Sequence, residues 1–340
     1  MRLPRFAGAG RRCAAAPRRY TDVMNMLHRD VAGPCLTPAG SVVCIGALDG
    51  VHRGHRAVLD RVRERAESLK ADPVAVTFAP IPRAYFSGNV AQLTTAREKI
   101  ELLRDAGMKY ILMLRFNAYM AGMSAEDFIG RVLVERLAAR EVWVGEGFRF
   151  GHERRGDLEM LQRIGAEEWM SADVVPPLLV DDERVSSTRI RAALAASDFA
   201  AAERLLGRRF TMGGHVVYGQ QIGRKIGCPT ANLPLGKRIA PLGGVFAVRV
   251  HGVGDRSRPG VASLGTRPTI NGTEPLLEAH LLDFDGDLYG KRIEVEFVKK
   301  IRNEEKYPDL ATLAHQIGRD ITATRIILGL EERARAGVTS

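Results

Sequence analysis

The chain has 340 residues, more than a single domain usually holds, so we expect two domains with separate cores. Hydrophobic residues make up 45% and charged residues 26%, a composition that is typical of globular proteins and gives no reason to expect long disorder. No stretch reaches the roughly 18 consecutive apolar residues of a membrane-spanning helix, so we predict no membrane partner.

The formal net charge of +10 favours phosphorylated ligands and would also permit weak contact with nucleic acid. No helix-turn-helix, zinc-finger or aromatic RNA-binding signature is present, so no specific nucleic-acid partner is expected. Part of the charge lies in the arginine-rich residues 1–20, which include no acidic residue. We interpret residues 1–27 as a basic tail that is disordered or follows a misassigned start codon, with organelle targeting as the second explanation.

The four cysteines match neither the paired spacing of metal ligands nor the density of a disulfide scaffold, which indicates a reducing cytoplasm. They are Cys13, Cys35, Cys44 and Cys228. We therefore expect a cytoplasmic protein, and the sequence makes no prediction of its oligomeric state.

Strand and helix patterns alternate in the first half of the chain. An apolar run predicts a strand at residues 41–46, and the Arg- and Glu-rich residues 55–70 predict a helix after a glycine-containing turn. Further strands are predicted at residues 73–78, 110–116 and 141–144, with helices at 95–106 and 125–139. This alternation predicts a Rossmann-like α/β domain over residues 28–206, with a parallel sheet and helices on both faces.

The character of the chain changes after two predicted helices at residues 187–195 and 199–206, and we place the domain boundary near Gly207. Short strands punctuated by Gly and Pro are predicted beyond it, at residues 214–218, 244–250, 260–264, 277–282 and 292–298. Such a series predicts a small antiparallel β-barrel over residues 207–335. A final helix at residues 310–332 would pack on the barrel through Leu310, Leu313, Ile317, Ile321 and Ile326.

The turn after the first strand carries the first candidate site. It contains Gly46, Asp49 and Gly54 together with His52 and His55, just before the first predicted helix. Free N–H groups at a helix start bind phosphate, and two imidazoles could stabilise charge that builds on an α-phosphate. The alternative is a surface turn with incidental histidines, which the position between strand and helix argues against.

A second candidate element places hydroxyl and guanidinium groups at the start of another helix. Its residues are Ser186, Ser187, Thr188 and Arg191, which could bind a triphosphate. Taken alone, the same residues could equally form an N-cap followed by a solvated basic face.

A glycine-rich stretch in the second half is the third candidate. Its proposed phosphate-binding residues are Gly213, Gly219, Gly223, Lys225, Gly227 and Pro229. Thr230 and Asn232 follow directly, and their hydroxyl and amide oxygens suit Mg²⁺.

The first two elements resemble the nucleotidylyltransferase superfamily, and the resemblance is closer to the N-terminal module of bacterial bifunctional riboflavin kinase/FAD synthetases. It extends through Thr77–Arg83, Leu93–Thr94 with Glu98–Lys99, Phe148–Gly151 and Arg155–Asp157. The stretch Pro229–Asn232 resembles the riboflavin kinase signature. The resemblance implies ATP-dependent phosphorylation of riboflavin to FMN and adenylylation of FMN to FAD, both with Mg²⁺.

The resemblance also implies roles for single residues. Glu278 matches the base that takes the proton from the riboflavin 5′-hydroxyl, and the alternative is a strand Glu paired with a cross-strand cation. Flavin contacts are implied for Phe78, Leu288, Tyr289 and Arg302, although residues 301–306 could instead form a surface helix cap. We interpret the acidic residues at positions 283, 285 and 287 as a hairpin turn and not a calcium loop.

The first module departs from the family pattern at Ala47, Leu48, Ala79, Ile81 and Gly147, where polar or other residues are more frequent. We therefore expect FAD synthesis that is retained but weakened. The alternative enzyme is a monofunctional riboflavin kinase with a degenerate adenylyltransferase module. A flavin- or nucleic-acid-binding regulator, motivated by the charge and the basic tail, is an alternative of another class.

Overall fold

The structure is a computed structural model, and it describes residues 26–219, 223, 227–236, 238–269 and 272–330. Most of the basic tail, Cys13, Lys225 and residues 331–335 lie outside the described residues, so the predictions made for them stay predictions.

The first half forms a six-stranded parallel sheet, as predicted. Its strands, in chain order, are β1 (Leu27–His28), β2 (Ser41–Ile45), β3 (Asp72–Ala79), β4 (Tyr110–Arg115), β5 (Ala139–Gly145) and β6 (Ser171–Val175). In space the order is β1-β4-β3-β2-β5-β6. After β2 the chain adds β3 and β4 on one side of that strand, and then adds β5 and β6 on its other side. Every residue of β2 is buried, which is why this strand reads as an uninterrupted apolar run.

Helices cover both faces of this sheet. They are α1 (Arg53–Leu69), α2 (Pro82–Ser87), α3 (Ala96–Asp105), α4 (Ala118–Gly122), α5 (Ala125–Asp127), α6 (Leu158–Glu167), α7 (Ser187–Ala195) and α8 (Phe199–Leu206), with a two-stranded ribbon of β7 (Leu179–Val180) and β8 (Glu183–Arg184) before α7. The helix predicted at residues 125–139 changes after α5 into a π-helix, Phe128–Arg136. A short 3₁₀ turn, His152–Arg154, precedes α6.

The second half forms a six-stranded antiparallel sheet that nearly closes into a barrel, and the predicted fold class is confirmed. Its strands are β9 (Thr211–His215), β10 (Ala231–Pro234), β11 (Gly244–His251), β12 (Arg258–Thr269), β13 (Gly272–Leu281) and β14 (Arg292–Arg302), in the spatial order β10-β13-β12-β11-β14-β9. A bridge between Val217 and Asn232 brings the two edges of the sheet together.

The C-terminal helix α9 (Leu310–Ile327) packs on the barrel, as predicted, but only part of the predicted apolar face makes the contact. Ile321 contacts the small cluster of Val245, Val261 and Leu282, but Leu310 and Ile326 are exposed. The buried residues of α9 are Asp320 and Thr324, because Asp320 pairs with Arg302 of β14. The apolar pattern was therefore an incomplete guide to this contact.

The cores of the two halves meet. Ile190 and Leu194 of α7, with Leu205 and Leu206 of α8, belong to the same apolar cluster as the barrel interior. The predicted boundary near Gly207 stays a prediction, and these helices bridge it. The described part of the chain contains no helix that is both long and apolar enough to cross a membrane.

Candidate functional sites

The first candidate site lies where the order of the parallel sheet reverses, between the carboxyl ends of β2 and β5. A cavity of about 300 Å³ opens there, lined by Gly46, His52, Gly54 and His55 on one side and by Gly145, Arg184, Ser186 and Ser187 on the other. Ligands of open α/β sheets bind at such a reversal point. The first two predicted elements, 130 residues and more apart in sequence, thus line one cavity, which we call the histidine cavity.

The two histidines stack at the start of α1. Their ring centroids are 3.6 Å apart, and the Nδ1 of His52 accepts a hydrogen bond from the His55 N–H at 3.2 Å, which caps the helix. A Cβ on Gly54 would lie 3.3 Å from the His52 ring and 3.4 Å from the Val185 carbonyl, so glycine permits this close packing. Gly54 and His55 of the first turn of α1 line the cavity, and a helix N-terminus is a favourable position for phosphate.

Burial keeps both imidazoles neutral near pH 7. Desolvation lowers the pKa of His52 to about 4, against an opposing effect of Asp49, and nearby Arg208, Arg184 and Arg191 lower it further. The pKa of His55 is also well below its usual value, because of burial and then the neighbouring His52 and Lys99. His55 Nδ1 has no hydrogen-bond partner among the described residues. The histidine pair therefore has capacity to bond a ligand.

Asp49 and Arg191 form a buried ion pair below the cavity. An Arg191 Nη lies 2.5 Å from the Asp49 carboxylate, which also accepts from the N–H groups of Leu93 and Thr94 at 3.1 Å. Neither residue lines the cavity, so the structure gives both a role in holding the loop. Contact with a nucleotide phosphate, which the sequence suggested for both, stays a prediction.

The loop that carries Asp49 is strained. Leu48 and Val51 have φ values of 47° and 37°, in the left-handed region that costs non-glycine residues of order 1–3 kcal/mol each. Such a loop persists only where surrounding contacts over-determine it. Ser187 contributes one of these contacts, since its hydroxyl donates to the Asp49 carbonyl at 3.0 Å.

The residues of the predicted serine and threonine cluster make different contacts. Ser186 caps α7 by accepting from the Arg189 N–H at 3.3 Å, so the N-cap alternative is correct for this residue. Thr188 accepts from Arg83 of α2 at 3.3 Å. Ser186 and Ser187 still line the histidine cavity, so capping and ligand contact are compatible.

Lys99 is a residue whose position the sequence did not reveal. The residue is 3% exposed, and its ammonium donates to the carbonyls of Ala47 at 2.7 Å and Phe78 at 3.1 Å. Burial lowers its pKa to about 8, while the charge of Asp49 opposes the shift. The local sequence does not show that this Lys is buried, and only its place in the family pattern drew attention to it.

The second candidate site is a cavity of about 550 Å³ at the closing edges of the barrel, which we call the barrel cavity. Thr230 and Asn232 line it, as do Leu288, Tyr289 and the acidic residues of the hairpin turn, Asp285 and Asp287. The predicted metal ligands and two predicted flavin contacts thus share one cavity. Tyr289 stacks on Tyr218 with ring centroids 3.8 Å apart.

Asn232 presents an unsatisfied oxygen. The side chain is 4% exposed, its Nδ2 donates to the Thr230 carbonyl at 3.3 Å, and its buried Oδ1 has no hydrogen-bond partner among the described residues. Glu278 on β13 is directly opposite Asn232 on β10, so the two residues face the same side of the sheet. Ala231 and Ala279, one position away on each strand, face the buried interior.

Glycine is required at two of the predicted positions. A Cβ on Gly219 would lie 2.6 Å from the Asn232 amide nitrogen, and one on Gly223 would lie 2.3 Å from the Cys228 carbonyl. Gly227 has a φ of 77°, and Gly213 donates its N–H to Glu98, away from the barrel cavity. Pro229 lines the cavity, and its carbonyl contacts His280.

Family comparison assigns the two halves separately. The FAD synthetase model matches residues 36–189, and the riboflavin kinase model matches residues 206–328. The bifunctional riboflavin kinase/FMN adenylyltransferase of Escherichia coli (strain K12) is 42% identical over 297 residues, which cover 87% of this chain and 95% of that protein. The chain belongs to the bifunctional riboflavin kinase/FMN adenylyltransferase family.

Other relatives agree with this assignment. The protein of the same name from Haemophilus influenzae (strain Rd) is 39% identical over 288 residues, covering 84% of this chain and 94% of that one. The predicted family and the predicted bifunctional enzyme are confirmed, and the monofunctional alternative is not favoured, since both domains are present.

A solved structure shares the arrangement of both domains. It is described as a macrolide-efflux protein from Streptococcus pneumoniae and superposes with a TM-score of 0.71 at 28% identity, covering 85% of this chain and 95% of its own. The name describes the streptococcal protein, and the likeness is one of fold.

Two residues implied as flavin contacts lie outside the lining of the barrel cavity, and flavin contact stays a prediction for both. In the kinase domain Arg302 makes a bidentate contact with buried Asp320, with distances of 2.7 to 3.2 Å, and does not line the barrel cavity. In the adenylyltransferase domain Phe78 is buried and packs edge-on against Phe116 at 5.6 Å. Tyr85 and Phe86, which the sequence did not single out, extend this aromatic cluster to the surface.

Proposed function

We propose that the enzyme phosphorylates riboflavin at the barrel cavity and adenylylates the resulting FMN at the histidine cavity, with ATP as the second substrate of both reactions. The observation that carries this proposal is that each matched domain holds one cavity with the chemistry its reaction needs. One cavity has neutral imidazoles at the N-terminus of α1. The other has the side-chain oxygens of Thr230 and Asn232, with Glu278 opposite Asn232 on the neighbouring strand.

In FAD synthesis, an oxygen of the FMN phosphate attacks the α-phosphorus of ATP, and the bond to the β-phosphate oxygen breaks to release pyrophosphate. No protein nucleophile is needed, so positioning and charge stabilisation supply the catalysis. His52, His55 and the N–H groups of α1 would donate to the phosphates. Bound phosphate would raise the pKa of His55, whose Nδ1 has no partner among the described residues, so that both of its ring nitrogens could donate, while His52 Nδ1 keeps accepting from the His55 N–H.

The flavin of FMN would stack on the aromatic cluster formed by Phe78, Tyr85, Phe86 and Phe116. Neighbouring rings of this cluster are 5.2 to 5.7 Å apart, and Phe86 is 69% exposed. The contact of Arg83 with Thr188 ties α2, which carries Tyr85 and Phe86, to the wall of the histidine cavity. An exposed aromatic surface next to a phosphate site suits a ligand that has both an aromatic ring system and a phosphate group.

In FMN synthesis, the 5′-hydroxyl of riboflavin attacks the γ-phosphorus of ATP, and ADP leaves. Glu278 would take the hydroxyl proton, a contribution of roughly 10²–10⁴-fold. Tyr218, Leu288 and Tyr289 would line the flavin side of the barrel cavity.

Thr230 and Asn232 would hold Mg²⁺ together with the ATP phosphates. The buried Oδ1 of Asn232 without a protein partner fits a hard cation, and a group of three or more His, Cys, Asp or Glu suited to a metal is absent from the described residues. Mg²⁺ keeps several waters and substrate oxygens, so two neutral oxygen ligands suffice. The ion would neutralise charge on the transferred phosphate.

Product chromatography tests the assignment of reactions to cavities. Purified wild type, Thr230→Ala and His52→Ala are incubated with riboflavin, ATP and Mg²⁺, and FMN and FAD are separated. Thr230→Ala should stop FMN formation yet still convert added FMN to FAD. His52→Ala should accumulate FMN. Loss of both activities in either variant contradicts two independent sites.

A cytoplasmic location is part of the proposal and would be tested by cell fractionation.

A further inference from the structure

One arginine of the kinase domain reaches into the adenylyltransferase domain. Arg238 lies shortly after β10, and its side chain is only 5% exposed. Its guanidinium donates to the carbonyls of Gln92 at 3.2 Å and Leu93 at 3.0 Å, and lies 3.4 Å from the Glu98 carboxylate. A planar fork with several donors suits three acceptors at once, which a lysine ammonium does not reproduce.

Two further bonds fix the same contact. The N–H of Gln92 donates to the Ile239 carbonyl at 3.0 Å, and the second oxygen of Glu98 accepts from the Gly213 N–H at 2.9 Å. Residues 92–93 are therefore held from the kinase side through both backbone and side-chain groups.

The opposite side of this segment holds the catalytic loop. Leu93 and Thr94 donate their N–H groups to Asp49, and the Thr94 hydroxyl accepts from the Gly50 N–H at 3.1 Å. A Cβ on Gly50 would lie 2.8 Å from a Leu93 methyl, so loop and segment are in close contact. His52 follows within the same strained loop.

We infer that Arg238 is a positioning residue for FMN adenylylation, contributed by the kinase domain. Its guanidinium holds the backbone of Gln92 and Leu93 in place. Leu93 and Thr94 then hold Asp49 and Gly50, and the loop that contains these two residues positions His52 and the start of α1. The inference rests on the proposed function of the histidine cavity.

A second cross-domain ion pair provides a matched control. Arg292 of β14 lies 2.8 Å from Glu101 of α3, and both side chains are about one third exposed. This pair joins the same two domains, and among the described residues its hydrogen bonds and ion pairs do not reach the loop of His52. Its loss tests whether any weakening of the domain contact affects adenylylation.

The experiment compares full-length wild type, Arg238→Lys, Arg238→Met and Arg292→Met in two assays, riboflavin phosphorylation and adenylylation of added FMN. For Arg238→Met we expect kcat of adenylylation to fall about tenfold, as is usual for positioning and coupling residues. KM for FMN should stay within about twofold, because the flavin surface is separate from the loop. Arg238→Lys should recover part of the rate, and Arg292→Met should match wild type.

Riboflavin phosphorylation serves as the test of folding, since each variant should retain it. The inference is overturned if Arg238→Met adenylylates FMN like wild type, if both reactions fall together in Arg238→Lys and Arg238→Met, or if Arg292→Met has the same defect. A wild type that makes no FAD would instead refute the proposed function.

Discussion

His52→Asn should remove part of the acid sensitivity of the adenylyltransferase domain. The folded-state pKa of His52 is lowered to about 4, from 6.5, chiefly by burial. Between these values the unfolded chain binds a proton at His52 that the folded domain does not, so stability falls as pH is lowered through this window. Asparagine is among the best N-cap residues, so the cap on the His55 N–H can be kept.

The expected size follows from the shift. At pH 5 the unfolded His52 is almost fully protonated and the folded His52 is almost neutral, which costs the folded domain about 2 kcal/mol relative to pH 7.5. His52→Asn should abolish this cost, so the difference in unfolding free energy between pH 5 and pH 7.5 should shrink by about 2 kcal/mol.

Tryptophan fluorescence during urea unfolding reports on the relevant domain, because both tryptophans of the chain, Trp143 and Trp169, lie in it. His315→Asn, at an exposed position on α9, is the control for loss of an imidazole. Any change in packing caused by the substitution cancels when each variant is compared with itself at the two pH values. An unchanged pH dependence in His52→Asn would refute the buried, neutral imidazole.

Three further predictions concern single groups. Gly219→Ala should weaken riboflavin phosphorylation and raise KM for ATP, because the new Cβ would lie 2.6 Å from the Asn232 amide nitrogen. Gly318→Ala, with open space around its Cβ, should leave both unchanged, and equal kinetics in the two variants would contradict the prediction. Glu278→Gln should lower kcat of phosphorylation by roughly 10²–10⁴-fold and leave adenylylation of added FMN intact; a loss below tenfold would exclude a base. Lys99→Met should slow adenylylation about tenfold, since the Ala47 carbonyl loses one of its two donors, and unaltered kinetics would show that the contact is dispensable.

The parts of the fold that the sequence predicted well are those where local pattern and tertiary burial agree. The strand at β2 is buried on both faces and reads as a continuous apolar run. By contrast, β9 was expected at residues 214–218 and lies at Thr211–His215, because its pairing with β14 decides its limits. The strand β6 was missed because its residues are mostly half-buried or exposed at a sheet edge. Register at an edge depends on the partner strand, which the local sequence does not contain.

At the two candidate sites, the sequence indicated which residues lie near a ligand better than it indicated which protein residues they contact. His52, His55, Ser186 and Ser187 were predicted near phosphate, and the fold brings all four to one cavity. Arg302 was predicted near flavin, which stays a prediction, and the sequence did not indicate that its side chain pairs with Asp320, a buried polar residue of α9. A charged residue that will be used for packing two elements cannot be distinguished by type alone from one that meets a ligand.

The departures at positions 47, 81 and 147 bear on how fast FAD synthesis runs, and the structure limits what each substitution removes. Ala47 contributes its carbonyl, which accepts from Lys99 and from the Thr77 hydroxyl at 3.0 Å, and a carbonyl is present whatever the side chain. Ile81 is buried at the start of α2, where an apolar residue anchors the helix that carries the aromatic surface. Gly147 has a φ of 68° with open space around its Cβ, a conformation that glycine adopts without strain. The framework thus uses only the carbonyl of Ala47, whereas Ile81 and Gly147 suit its packing and its backbone conformation. Weakening of FAD synthesis at these positions should therefore come from lost side-chain contacts with substrate and not from a disturbed framework.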